Sequence, residues 1–271
     1  MNTETSITFI GGGNMARALI GGLLASGSDA ARITVAEPDS DQRADLSEQF
    51  GVATEADNAR AASQADVVVL AVKPQVMDQV LASIRDALSA RTLIISVAAG
   101  ITTRALIDGL DPDQPVVRAM PNTPALYGAG MTGLFASTAV DSTHRELAEG
   151  ILGAAGEVAW IDDETLMDVV TAISGSGPAY FFALAEHLAR AGEACGLDAA
   201  TAERLARQTA SGAGVMLAQS EHDAGELRRR VTSPGGTTAA ALDSLAADDL
   251  AGVIERAVAQ AVRRGRELGG N

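Results

Sequence analysis

The 271-residue sequence predicts the α/β class, a doubly wound parallel sheet followed by an all-α region. Three observations carry this. Residues 6–20 read as a short β-branched and aromatic run, a glycine turn and an Ala/Leu-rich helix. Apolar strand-like runs then alternate with helical stretches as far as Asp162. Beyond Asp162, β-branched runs become scarce, and Ala, Leu and Arg recur at helical spacing. The expected domains are therefore residues 1–162 and 163–271.

Each element has a local reason. Residues 7–10 form the first strand, and a helix follows over 14–26. Residues 33–36 form the next strand, with a polar helix over 40–50. The continuous apolar run 66–72 fits a parallel strand covered on both faces. Pro74 starts a helix, because its fixed φ suits the first turn. Residues 93–97, 116–119 and 131–135 add strands. Right-handed crossovers place the loops after these strands on one ligand-binding edge. The second region reads as long helices over 164–191, 199–220, 237–246 and 248–268. Leu205, Ala206, Ala210, Ala213, Val215, Met216 and Leu217 spread apolar surface over more than one helix face, which points to subunit contact.

Composition narrows the function. Twenty Lys+Arg against 35 Asp+Glu give a net charge of -15 and a pI near 4.5, which argues against nucleic acid or an anionic membrane surface as partner. Lys73 is the single lysine. The one cysteine, Cys195, excludes an intramolecular disulfide, fits a reducing cytoplasm and is expected to pack in a core. The N-terminus lacks a basic n-region, so no signal peptide is expected. No apolar run is long enough to span a membrane. His144, His187 and His222 are far apart and near no cysteine, so no metal site is expected.

Five segments carry chemistry. Gly11, Gly13 and Ala16 fit G-x-G-x-x-A, with Asn14 and Met15 opening the helix. Gly11 makes the tight turn, Gly13 leaves room for a pyrophosphate and Ala16 lets helix and strand approach. The helix N-terminus then offers N–H groups to the anion. Ala71, Val72, Lys73 and Pro74 end a strand on the same edge, where backbone groups meet ribose or phosphate. RAMPNTP at 118–124 ends another strand. Its Asn122 either bonds the nicotinamide side or stabilises the loop. SGSGPAY at 174–180 interrupts a long helix with two glycines and a proline, as needed where a ligand or another backbone must approach, or where helices pack across a kink. VTSPGGTT at 231–238 forms a turn that opens a helix. Successive N–H groups around Gly236, Thr237 and Thr238 make a nest for a carboxylate without a basic side chain, with Ser233 and Thr238 adding hydroxyls. A helix N-cap explains the same residues. No lysine exists in the helical region to serve a β-hydroxyacid dehydrogenase, so a substrate already activated as a cyclic iminium is favoured. A non-catalytic dinucleotide-binding scaffold is the rival from another class.

Together FIGGGNMA, AVKPQ, RAMPNTPA, ISGSGPAY and VTSPGGTT, in this order, resemble the pyrroline-5-carboxylate reductase family over essentially the whole chain. The resemblance implies a Rossmann-type nucleotide domain and a C-terminal helical dimerisation domain, with higher oligomers such as a decamer built from dimers. It implies reduction of 1-pyrroline-5-carboxylate to L-proline by NAD(P)H. Gly235, Gly236 and Thr237 would hold the substrate carboxylate, and Thr238, with Ser233, would serve the ring nitrogen. Ser174 and Gly175 would give the ring room. Glu164 and Glu221 fall near the family's site or dimer hinge, and Asn58 joins the cofactor contacts. Two departures stand out. Arg230 precedes the last motif where many members carry an amide. Glu37, after the second strand, would bond a ribose 2′-hydroxyl and repel a 2′-phosphate, which favours NADH. Arg43 is expected one helical turn too far away to compensate.

Overall fold

The structure, a computed structural model, describes residues 5–269. The ends of the two expected domains, residues 1–4 and 270–271, lie outside the described residues. By contacts the chain divides into two compact units. One runs up to Gly175 and takes back the chain from Ala261, and the other is Ser176–Gln260.

The first unit is built on one eight-stranded sheet. In chain order its elements are β1 (Ile7–Ile10), α1 (Asn14–Ala25), β2 (Ile33–Ala36), α2 (Ser40–Phe50), β3 (Ala53–Glu55), α3 (Asn58–Ala62) and β4 (Val67–Leu70). Then follow α4 (Met77–Ile84), β5 (Leu93–Ser96), α5 (Thr103–Asp108), β6 (Val116–Met120), β7 (Gly130–Ala136), α6 (Ser142–Gly153), β8 (Gly156–Trp160) and the short α7 (Met167–Val170). The strand order is 3-2-1-4-5-6-7-8. Strands β1 to β6 are parallel, β7 runs antiparallel to β6, and β8 is parallel to β7. The order reverses between β1 and β4, which opens a crevice at the carboxyl ends of the strands. Ile7, Phe9, Ile10, the four residues of β4 and Leu93–Ile95 are buried, since helices cover both faces.

Three departures from the sequence expectation have physical causes. The apolar run 66–72 pairs as strand over Val67–Leu70 only, because Ala71 onward turns into the ligand edge. Strands β3 and β8 were not expected. The first has three residues, and the second opens with Gly156 and Glu157. The parallel sheet ends at β7, because a 3-10 turn over Thr123–Tyr127 with left-handed Gly128 reverses the chain.

The second unit contains α8 (Gly177–Ala194), α9 (Ala199–Gln219), α10 (Ala224–Arg230), α11 (Thr237–Ala247) and the start of α12 (Leu250–Leu268). The expected helix over 164–191 is not continuous. It runs as a 3-10 turn, α7, a π-turn over Thr171–Gly175, and then α8 with Pro178 in its first turn. Helix α10 was missed, although Asp223 caps it by accepting from the Glu226 N–H at 2.7 Å. Asp198 likewise caps α9. The Thr201 backbone N–H and hydroxyl hold its carboxyl below the usual range.

Helices α8 and α9 pack through small residues. Ala202 and Ala206 are buried, and a Cβ on Gly192 would touch Ala202. Phe181, Phe182, Leu184, Leu205 and Val215 are at least half exposed in the single chain. Cys195 ends α8 and is exposed in the single chain, not packed in a core as expected. Among the described residues, no helix is long and apolar enough to cross a membrane.

Candidate active site

The carboxyl ends of β1, β2 and β4 bring the nucleotide motifs together. Gly11 has φ +96°, and a Cβ there would lie 2.7 Å from the Ala71 carbonyl oxygen. Glycine is therefore required twice over, by conformation and by the close approach of the AVKP segment. The Gly11 N–H donates to Ala36 O at 2.8 Å, and Ala71 N–H to Ile10 O at 2.9 Å, which ties three strand ends together. Gly13 differs. Its φ of -70° and ψ of -177° suit any residue, yet a Cβ would meet nothing within 4 Å. That open cradle lies at the start of α1, where Gly13 supplies no side-chain cap. The N–H groups of Asn14, Met15 and Ala16 have no intrahelical acceptors and face the same end. The residues fit a dinucleotide pyrophosphate. Asn58 opens α3, beyond β3, and its side-chain amide donates to Ser83 Oγ at 3.2 Å. Lys73 and Pro74 begin a 3-10 turn that leads into α4.

Glu37 is only 8% exposed at the end of β2. Its Oε2 accepts from the Gly12 N–H at 3.0 Å and its Oε1 from the Asp39 N–H at 3.2 Å. The carboxylate therefore braces the glycine loop and keeps one lone-pair direction per oxygen for another donor. Arg43 corrects the sequence expectation. Asp39 caps α2 so soon after β2 that Arg43 reaches back, and its Nη1 donates to Glu37 O at 2.7 Å and Pro38 O at 2.8 Å. The guanidinium thus stands at the strand end. On the other side, Arg17 Nε donates to Gly12 O at 3.2 Å.

Glu164, expected among the substrate contacts, has protein partners of its own. The Thr103 N–H and hydroxyl each donate to its carboxylate at 2.7 Å, and Arg118 Nη1 lies 3.1 Å away. Arg118, 6% exposed, also comes within 4.0 Å of Asp168. This cluster joins the α5 start, β6 and the 164–168 segment. Sequence reasoning missed Thr103 and Asp168, because partners 61 residues apart leave no local signal. Replacing Arg118 with alanine leaves Glu164 with only its Thr103 donors and takes the cation away from Asp168, and is expected to cost about 3 kcal/mol of stability. A urea unfolding midpoint at the wild-type value would contradict this.

Asn122 lies at the end of β6 with its amide bonded on both sides, to Met131 N–H and Ser174 O. Gly175 abuts Met120, since a Cβ there would lie 2.7 Å from its Cε. In the helical unit, Gly235 takes φ +69° and turns the chain into α11. Gly236 caps that helix without a side chain, but its own N–H donates to Ser233 O at 3.1 Å. The nest is therefore narrower than expected, because the turn closes on Gly236. The first helical bond is Ala240 N–H to Gly236 O, which leaves the N–H groups of Thr237, Thr238 and Ala239 without intrahelical acceptors. Arg230 is occupied within α10, its Nε donating to Glu226 at 2.8 Å. Arg229 and Arg230 hold the Glu226 carboxyl below its usual range. A separate cavity of about 760 Å³, lined by Thr5, Asp66, Arg91, Thr92 and His144, lies at the amino ends of the strands, opposite the crevice.

The strand order and the uncapped glycine helix start define the class, a dinucleotide-binding protein with a helical C-terminal region. Comparisons with known proteins narrow this. Residues 164–268 match the family described as pyrroline-5-carboxylate reductase dimerisation, and residues 6–100 match the one described as NADP oxidoreductase, coenzyme F420-dependent. A pyrroline-5-carboxylate reductase of Pseudomonas aeruginosa is 48% identical, over 97% of this chain and 96% of its own. The solved reductase from Coxiella burnetii is 44% identical and superposes with a TM-score of 0.95, covering 97% of this chain and 98% of that one. The Plasmodium falciparum pyrroline carboxylate reductase, solved with NADP bound, is 29% identical with a TM-score of 0.84, covering 98% of this chain and 99% of that one. The chain belongs to the pyrroline-5-carboxylate reductase family.

Proposed function

We propose that this protein reduces 1-pyrroline-5-carboxylate to L-proline with NAD(P)H, the last step of proline synthesis. The observation that carries this reading is a pair of helix starts capped by glycine alone, Gly13 before α1 and Gly236 before α11. Each presents free N–H groups and a positive dipole end to an anion, one to a pyrophosphate and one to a carboxylate. When bound, the nicotinamide supplies hydride, which with one proton saturates the C=N bond.

The chain's residues bind and orient. The N–H groups of Thr237 and Thr238, with the Gly235–Gly236 turn, hold the substrate carboxylate. The Thr238 hydroxyl orients the ring nitrogen and passes it a proton, with Ser233 at the mouth of the same turn. Ser174 and Gly175 leave room for the ring. Fixing donor and acceptor carbons in contact is worth about 7–11 kcal/mol of the barrier by effective molarity. A homodimer covers the exposed faces of α8 and α9, and assembly to a decamer in the cytoplasm completes the reading.

The carboxylate of Glu37 beside the ribose favours NADH, and Arg43 at the same strand end keeps NADPH usable. The test is nicotinamide oxidation dependent on added pyrroline-5-carboxylate, measured with each cofactor. Turnover with both, and a higher kcat/KM with NADH, is expected. Arg43→Ala is expected to lower kcat/KM with NADPH by about tenfold more than with NADH, equivalent to about 1.4 kcal/mol. A strong wild-type preference for NADPH would remove the role given to Glu37. Absence of turnover by the folded protein would remove the function.

A further inference from the structure

Asn122 occupies the cap position before the 3-10 turn Thr123–Tyr127, yet its side chain makes no capping bond there. Its amide faces elsewhere, 9% exposed. Oδ1 accepts from the Met131 N–H at 2.9 Å, and Nδ2 donates to the Ser174 carbonyl at 3.0 Å. One short side chain thus joins the start of β7 to Ser174, which lies 52 positions beyond Asn122 itself.

The Ser174 end matters because of its backbone. Thr171–Gly175 is a π-turn, a wider ring than the α-helix and rare outside single turns of this kind. Hydroxyls supplement it, with Thr171 Oγ1 donating to Met167 O and Ser174 Oγ to Val170 O, both at 2.9 Å. Upstream, the segment is fastened by Glu164 to Thr103 and Arg118. Downstream, the fastening comes from Asn122. A local sequence alone would let the 174–177 glycines relax toward several turns.

We infer that Asn122 is a positioning residue: it sets the Ser174–Gly175 turn and acts on the reaction through that turn, not by touching the cofactor. This rests on the reading of 174–175 as part of the substrate site. An asparagine is specific to the task, because it offers an acceptor to Met131 and a donor to Ser174 at once. Aspartate would keep the first bond and set a carboxylate oxygen against the Ser174 carbonyl.

The two bonds can therefore be separated. Wild type, Asn122→Asp and Asn122→Ala are compared in three measurements. These are kcat and KM for pyrroline-5-carboxylate, NADH and NADPH dissociation constants by equilibrium titration, and amide hydrogen exchange at Met131 and across residues 171–178. Both variants are expected to lose about tenfold or more in kcat/KM for the imine, as small misplacements do. Their cofactor dissociation constants should stay within about twofold of wild type, about 0.4 kcal/mol. Exchange across 171–178 should quicken in both, whereas Met131 stays protected in Asn122→Asp alone. A cofactor dissociation constant that weakens as much as kcat/KM falls would overturn the inference. So would wild-type kcat/KM in Asn122→Asp. If the wild-type protein does not turn over the imine, the functional reading fails separately, and exchange still decides. Unchanged exchange across 171–178 in Asn122→Asp then rejects the positioning role, and faster exchange upholds it.

Discussion

Replacing Thr238 with alanine is expected to lower turnover of pyrroline-5-carboxylate by about a hundredfold or more, the range for a positioned proton-transfer group. Cofactor affinity should be left nearly intact. The reasoning starts from position. Thr238 is the second residue of α11, so its N–H and hydroxyl share the open end of the helix. Alanine keeps the N–H and removes the hydroxyl, and helix propensity favours the change. Carboxylate binding should persist while the hydroxyl proposed to serve the ring nitrogen is lost, so the deficit falls on kcat more than on KM. Thr238→Ser should recover most of the rate, since the hydroxyl is restored. Wild-type kcat in the alanine variant would remove Thr238 from the chemistry.

The second large effect separates two glycines that look alike in sequence. Gly11→Ala must adopt a φ near +96° and place its Cβ 2.7 Å from a backbone carbonyl that belongs to a neighbouring strand end. Stability and cofactor affinity should both fall, the latter by about a hundredfold, near 2.8 kcal/mol. Gly13→Ala meets no protein atom within 4 Å and keeps an ordinary extended backbone. Its cofactor-free stability should drop by less than about 1 kcal/mol, the scale of a helix-cap change. Its cofactor affinity should nonetheless fall, because the new methyl fills the open space proposed to take the pyrophosphate. Thermal melts with and without NADH, together with cofactor titration, read both quantities. Equal affinity in wild type and Gly13→Ala would show that the cradle is not where the pyrophosphate lies.

The contrast marks what could be read from the chain in advance. The strand-glycine-helix start, Pro74 after β4, the break near Gly175 and the glycine turn that opens α11 were all legible. Each is written by residues within a few positions: a missing Cβ, a fixed φ or a missing N–H. Helix α2 takes the range expected of it, and in the structure Asp39 caps it and Gly51 ends it in a left-handed turn. Strand β8 and helix α10 were less legible, since neither stands out from its neighbours in apolar content. The reversal at β7 was illegible for a similar reason. Strand direction depends on a turn, and the 130–136 run carries no sign of which way it pairs.

The site divides along the same line. By itself the sequence determined the groups on offer: a glycine loop before α1, a Pro-Gly-Gly turn before α11, hydroxyls beside that turn and an acid after β2. Only the tertiary structure decided which groups meet. It joined Glu164 to Thr103 and Arg118, and Asn122 to Ser174. It also folded Arg43 back to the end of β2 and engaged the Gly236 N–H with Ser233. The physical reason is range. Backbone conformation is fixed by adjacent residues, whereas side-chain pairs separated by dozens of positions exist only once the sheet order has brought their strands side by side.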